Sequence, residues 1–179
     1  MAIRRTPPRD RYGVCEQYLA TRIRALTMPP SAIRIRLTAD DQVYGAVVDM
    51  PMSENLLTTL VAYMSGTANL YFNTGGGMVG AGPKYKSVEQ AAKAFMLNAG
   101  KVLPQCKRVT YYDLPAERTH YIYLMARRGV YKMEINPENI MAETPEKRMI
   151  FRLYQNLLRE LRMAQLKDKA EQPPIVQIK

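Results

Sequence analysis

The chain has no tryptophan, only three phenylalanines, two cysteines and a single histidine among its 179 residues. Each shortage removes a class of explanation. Cys15 and Cys106 stand far apart with no ligand-type spacing around either, which excludes a disulfide framework and a zinc pattern. A reduced, cytoplasmic compartment is the expectation. A Cys–His nucleophile would have to pair His120 with one of these isolated thiols, and no motif supports that. His120 opens a strand carrying Ile122 and Leu124 and reads as a packed or edge histidine. No Gly-x-Ser-x-Gly elbow is present. Asp40-Asp41 favours a turn rather than a cation site. No metal or cofactor is expected. No apolar run approaches the ~18 residues that span a bilayer. The basic start, Met1 to Pro8, lacks the apolar stretch of a secretory leader.

What is present is a hydrophobic fraction of 47%, enough for a core, with 12 tyrosines and 12 methionines as the larger side chains. Buried tyrosines need hydroxyl partners, so many of the rings are expected at the core margin. The net charge of +10 is uneven: residues 1–36 carry +6, residues 37–100 carry −2 and residues 101–179 carry +6. Such a balance suits solvated helix faces, and also nucleic acid, anionic lipid or an acidic partner.

Along the chain the hydrophobic period changes repeatedly. Residues 1–9 read as a flexible basic terminus, residues 10–167 as one domain and residues 168–179 as a flexible tail. Asp10 is expected to cap one helix running to about Leu26, with Val14, Cys15, Tyr18, Leu19, Ile23 and Leu26 on its buried stripe. Arg11, Arg22 and Arg24 fall off that stripe. Met28-Pro29-Pro30-Ser31 stops it. Ile33, Ile35 and Leu37 alternate with Arg34 and Arg36, the period of a half-buried strand. Val43 to Met50 reads as a second strand, buried apart from Asp49. Leu56 to Met64 and Thr67 to Asn73 form a hairpin across Ser65-Gly66, with a short extra strand at Met78-Val79.

Ser87 with Gln90 fits a capping box and opens a helix whose stripe is Val88, Ala91, Ala92, Phe95, Ala99 and Val102, ended by Pro104. Thr119 to Met125 and Val130 to Ile135 form a second hairpin with Arg127-Arg128-Gly129 at the turn. Thr144-Pro145 opens the last helix, with Ile150, Leu153, Tyr154, Leu157, Leu161 and Ala164 inward. The order α-ββ-ββ-α-ββ-α, with short hairpin turns, predicts a single α+β domain. Its mainly antiparallel sheet has five to seven strands with helices packed on it. In element order it is similar to profilin-like and roadblock-like domains, a likeness that carries no function.

The glycine-rich loop is the most conspicuous motif. Gly75, Gly77 and Gly80 fall at dinucleotide-fingerprint spacing, but the preceding strand belongs to a hairpin and the helix starts only at Ser87. No acidic residue follows at the required distance, and no Gly-Lys-Ser/Thr makes a Walker loop. An anion site remains open at Gly75, Gly76, Gly77, Gly80, Gly82, Lys84, Lys86 and Ser87, just before a helix N-terminus. The alternative is that the glycines only give the chain a tight path. The stretch Gly66 to Gly82 resembles a bacterial protein family with no assigned activity. In that family a T-A-S-L-Y strand runs into S-T-G-G-G and then an alanine-rich helix. The likeness covers the helix at 87–103 and, loosely, Leu114-Pro115 and the hairpin at 119–135.

Arg4, Arg5, Arg9 and Arg11, with Arg148, Arg152, Arg159 and Arg162 of the last helix, form a candidate basic patch for phosphates. Tyr111, Tyr112, Tyr121, Tyr123 and Tyr131 offer stacking surfaces, although alternating tyrosines are more often one face of a sheet. The leading expectation is a non-catalytic protein-interaction or regulatory module that self-associates or serves a larger assembly. Nucleic-acid binding through the basic ends is one alternative. An anionic ligand, or an enzyme, at the glycine-rich loop is the other.

Overall fold

The structure, a computed structural model, describes residues 7–116 and 118–171. Two helices come first, α1 (Pro8–Tyr12) and α2 (Glu16–Leu26), then a 3-10 turn at Pro30–Ile33. Strands β1 (Val43–Pro51), β2 (Leu57–Tyr63), β3 (Ala68–Phe72) and β4 (Gly77–Met78) follow. Helices α3 (Ala81–Lys84) and α4 (Lys86–Ala99) lead through a 3-10 segment, Gly100–Gln105, to β5 (Lys107–Val109). Strands β6 (His120–Ala126) and β7 (Gly129–Ile135), a 3-10 segment at Pro137–Ala142 and α5 (Pro145–Glu171) complete the described chain.

The seven strands form one antiparallel sheet in the order β4-β3-β2-β1-β6-β7-β5, so the domain is α+β as its element order predicts. Both faces of the central strands are covered, which explains why β1, β2 and β6 read as near-continuous apolar runs. Ala46, Val48 and Met50 of β1 point to the α4/α5 side, with Leu60, Ala62, Ile122 and Leu124. Val47, Val61, Tyr121, Tyr123 and Met125 point to the other side, where Ala25 and Leu26 of α2 cover them. Helices α4 and α5 lie antiparallel in one layer: Phe95 meets Tyr154, and Tyr85 at the opposite end meets Asp168.

The α4 stripe is buried as its period requires, from Val88 through Phe95 to Val102. Its start differs. Tyr85 flanks the first turn with no side-chain cap, and Ser87 is exposed inside the helix, so no capping box forms. The last helix does begin as its sequence suggests, with the Lys147 amide donating to Thr144 Oγ1 at 3.4 Å. It runs through Glu171, and Asp168 accepts from Tyr85, so the boundary drawn at 167/168 falls inside an anchored helix. The boundary at 9/10 likewise falls inside α1.

The other corrections have physical causes. The first helix is two, because Gly13 takes φ 55° and ends α1. The expected strand at Ile33–Leu37 does not exist. Pro30–Ile33 is a 3-10 turn, Arg34 reverses the chain at φ 57°, and β1 already pairs on both edges with β2 and β6. The alternation there reflects Ile33 and Leu37 packing on the α2-side core without a ladder. The second hairpin turns on two residues, Arg127 and Arg128, since Ala126 pairs with Gly129. Nor are the tyrosines only marginal. Tyr123 and Tyr154 are fully buried, each with its hydroxyl bonded.

Two polar residues read as surface groups are interior. Arg22 is 2% exposed and Asp49 0%. The buried face of α2 is Tyr18, Arg22, Ala25 and Leu26, at i, i+4, i+7 and i+8, while Ile23 is 46% exposed. A charge at i+4 of that face is invisible to a count of apolar residues.

Candidate functional site

A cleft of about 890 Å³ opens at one end of the sheet. Pro51 and the loop Met52–Asn55, between β1 and β2, form one wall. Arg11 and Tyr12 of α1 form a second, and Arg118, Pro137 and Glu138 a third. His120, Phe151 and Gln155 complete the lining. His120 stacks on Phe151 at 6.2 Å between ring centres, and its Nδ1 lies 2.9 Å from the hydroxyl of fully buried Tyr154. Burial pushes the imidazole down to about 4 and the Tyr154 hydroxyl well above its ordinary value. The histidine is therefore neutral at physiological pH. At the rim Arg118 pairs with Glu138 at 2.7 Å, both exposed. Arg11 Nη2 donates to the Tyr12 hydroxyl at 2.7 Å and to the Pro115 carbonyl at 3.1 Å.

Asn73 ties two of these walls together. Fully buried at the end of β3, it donates through Nδ2 to the carbonyls of Tyr12 at 2.5 Å and Asn55 at 2.8 Å. Its Oδ1 accepts the Leu57 amide at 3.0 Å. Its own carbonyl accepts from Cys15. The asparagine immediately before Thr-Gly-Gly-Gly was the available sequence signal, and it reads there as a mere strand end. Asn73→Ala orphans a buried amide and two carbonyls, so a loss of ~2–3 kcal/mol is expected in denaturant unfolding. Amide exchange in α1 should rise more than that in β6.

His120 makes stability depend on pH. Its folded pKa lies below the unfolded value of 6.5, so the unfolded chain binds the proton more readily. Stability is fully present above about pH 6.5 and is lost as pH falls toward 4, by ~3 kcal/mol. His120→Gln should flatten this part of the profile, as read by urea midpoints between pH 4 and 7.

A second polar cluster lies beneath α2. Arg22 Nε contacts both Asp49 oxygens at 3.2 and 3.0 Å, and Nη2 reaches Oδ2 at 2.6 Å. The remaining guanidinium contacts go to the carbonyls of Tyr112 at 2.8 Å and Asp113 at 2.9 Å. Thr59 donates to Asp49 Oδ1 at 2.6 Å, so the Tyr18 hydroxyl, 2.6 Å from Thr59, must be the donor there. Nearby, Tyr123 and Lys132 both donate to Asp113. This cluster is closed upon itself and clamps α2 and the 112–113 segment to β1.

The residues of the glycine-rich loop come together around the β3–β4 hairpin and the start of α4, and none of them lines the cleft. Gly75, Gly76, Gly77 and Gly80 all take positive φ. Gly80 donates its amide to Asn69 Oδ1 at 2.6 Å. Gly82 packs on the backbone of Gly66. Lys84 forms ion pairs with Asp168 and Glu171 of α5. Lys86 and Ser87 are exposed at the start of α4.

The basic residues separate into two places. Arg9 pairs with Glu16 at 2.6 Å and Arg11 sits in the cleft wall. Arg148, Arg152, Arg159 and Arg162 follow the solvent side of α5. Arg4 and Arg5 lie outside the described residues. Neither cysteine lines the cleft. Burial pushes the Cys106 thiol up to about 11, and its Sγ donates to the Val102 carbonyl at 3.1 Å. Among the described residues no three His, Cys, Asp or Glu side chains group as a metal site, and no helix is long and apolar enough to cross a membrane.

No protein-family model, no curated protein and no solved structure matches this chain.

Proposed function

We propose that the chain is a non-catalytic recognition module that receives a ligand of small-molecule size in the cleft at the end of the sheet. The observation that carries this reading is the cleft itself. Its ~890 Å³ lies within the ~300–1,000 Å³ typical of ligand sites. Apolar surface from Met52, Pro137 and Phe151 alternates there with a few polar groups. Its chemistry supports binding over turnover. The neutral imidazole is engaged by a phenol rather than by a carboxylate. Ser53 Oγ accepts the Leu56 amide as a loop cap, with no hydrogen bond joining it to His120. Self-association has less support, because β4 has two residues and β5 three, leaving a second copy little sheet edge to pair with.

The test is a fragment screen of mixed charge read by protein-observed NMR. Shift changes confined to Met52–Asn55, Arg118 and Gln155 are expected. Ser53→Phe should abolish them while lowering the melting temperature by no more than the ~2–4 °C that one lost loop hydrogen bond costs. Hits that map elsewhere, or no hits, overturn the reading.

A further inference from the structure

The topology places α4 and α5 antiparallel on one side of the sheet, so their solvent sides form one surface. Along α4 and the segment after it the exposed positions include Lys86, Lys93 and Lys101. Along α5 they include Arg152, Arg159 and Arg162, with Arg148 half-exposed on the same side. At 1.5 Å per residue the arginine row extends ~21 Å. Its members sit close to one helical side, since 148, 152, 159 and 162 differ by near-multiples of a turn. Three of the layer's carboxylates are already engaged: Glu89 with Lys93, Glu160 with Arg159 and Asp168 with Lys84. Among the described residues Lys86, Lys101, Arg152 and Arg162 form no ion pair.

We propose that this outer face of the α4/α5 layer docks on the sugar–phosphate backbone of a nucleic-acid duplex. The choice of occupant follows from what accompanies the charge. Both helices have spent their apolar stripes on the sheet, so no apolar side remains to insert into a lipid surface. A protein partner needs an apolar centre, and here only Leu97, Met163 and Leu166 are exposed, without forming one stripe. Single strands are held by stacking on aromatics, and the large exposed aromatic, Tyr111, lies in the segment before β6, not on these helices. Four arginines in a straight row match phosphates, which accept the guanidinium fork. Among the described residues no element projects to read base edges, so binding is independent of sequence.

The experiment is anisotropy of labelled 20-base-pair DNA and RNA duplexes against the full chain across a salt series. Affinity should fall steeply with salt, with a log–log slope of about −4 for four to five neutralised phosphates. Arg152→Glu with Arg162→Glu should weaken binding at least ~10-fold at low salt, with an unchanged melt. Arg24→Glu with Arg36→Glu makes the same change of net charge on the α2 side and should leave affinity within ~2-fold. Equal losses in the two double variants would overturn the proposal, because net charge alone would then suffice. So would tighter binding to single strands, or binding to anionic vesicles or a polyglutamate peptide but to no duplex. The cleft reading is scored separately by its NMR shifts and survives any of these results.

Discussion

Replacing Arg22 with alanine is expected to lower the unfolding free energy by ~3–5 kcal/mol, the range for breaking a buried ion pair from one side. The substitution leaves Asp49, 0% exposed, with Thr59 as its remaining side-chain donor. It also strips the carbonyls of Tyr112 and Asp113 of their guanidinium partner. At roughly 2–4 °C per kcal/mol for a chain of this size, the melting temperature should fall by about 10 °C. Arg22→Lys should recover little, because an ammonium cannot span Asp49 and two backbone carbonyls at once. The informative comparison is the double variant Arg22→Met with Asp49→Leu. Replacing a buried pair by apolar groups is often neutral, so it should be more stable than either single change. Thermal or urea unfolding of the four proteins closes the cycle. If Arg22→Ala costs under ~1 kcal/mol, the pair is not the clamp its geometry implies.

The same pair marks where the sequence was legible and where it was not. Helix α4 could be read because its apolar residues obey one period, and the hairpins because apolar runs flank short turns, from which the sheet's antiparallel sense followed. Arg22 and Asp49 could not, because each sits where an apolar residue would continue the pattern. A buried charge is stable only through a partner that sequence spacing does not disclose. The false strand at Ile33–Leu37 fails for a related reason. Alternation reports which side chains are covered, but a strand also needs a free neighbour, and β1 has none to spare. The cleft was equally hidden. Its lining is drawn from α1, the β1–β2 loop, β6, the segment after β7 and α5, which share no motif. Asn73 joins two of its walls to the glycine-rich loop that drew attention first.

That loop supplies the second large expected effect. A Cβ added at Gly77 would stand 2.0 Å from the Leu70 carbonyl oxygen, and one at Gly82 would stand 2.2 Å from that of Gly66. In both cases the obstacle is backbone, which no rotamer change can move. Gly77→Ala must break or shift the β3–β4 pairing. Gly82→Ala must lift α3 from the β2–β3 turn and with it the anchor that Lys84 and Tyr85 give to α5. Each should cost ~2–4 kcal/mol, the upper range for overpacking. Gly76 gives the contrast. Its φ is 79° but nothing lies within 4 Å of its added Cβ, so Gly76→Ala bears only the left-handed backbone penalty of ~1–2 kcal/mol. Gly82, which has no positive φ, isolates close approach, whereas Gly77 at φ 151° combines it with conformation, so urea unfolding of Gly82→Ala against Gly76→Ala ranks the two effects within one loop. An order with Gly76→Ala the most damaging would mean that backbone freedom, not space, is what the glycines provide. If the expected order holds, two of the loop glycines are there to let main chain touch main chain beneath the last helix.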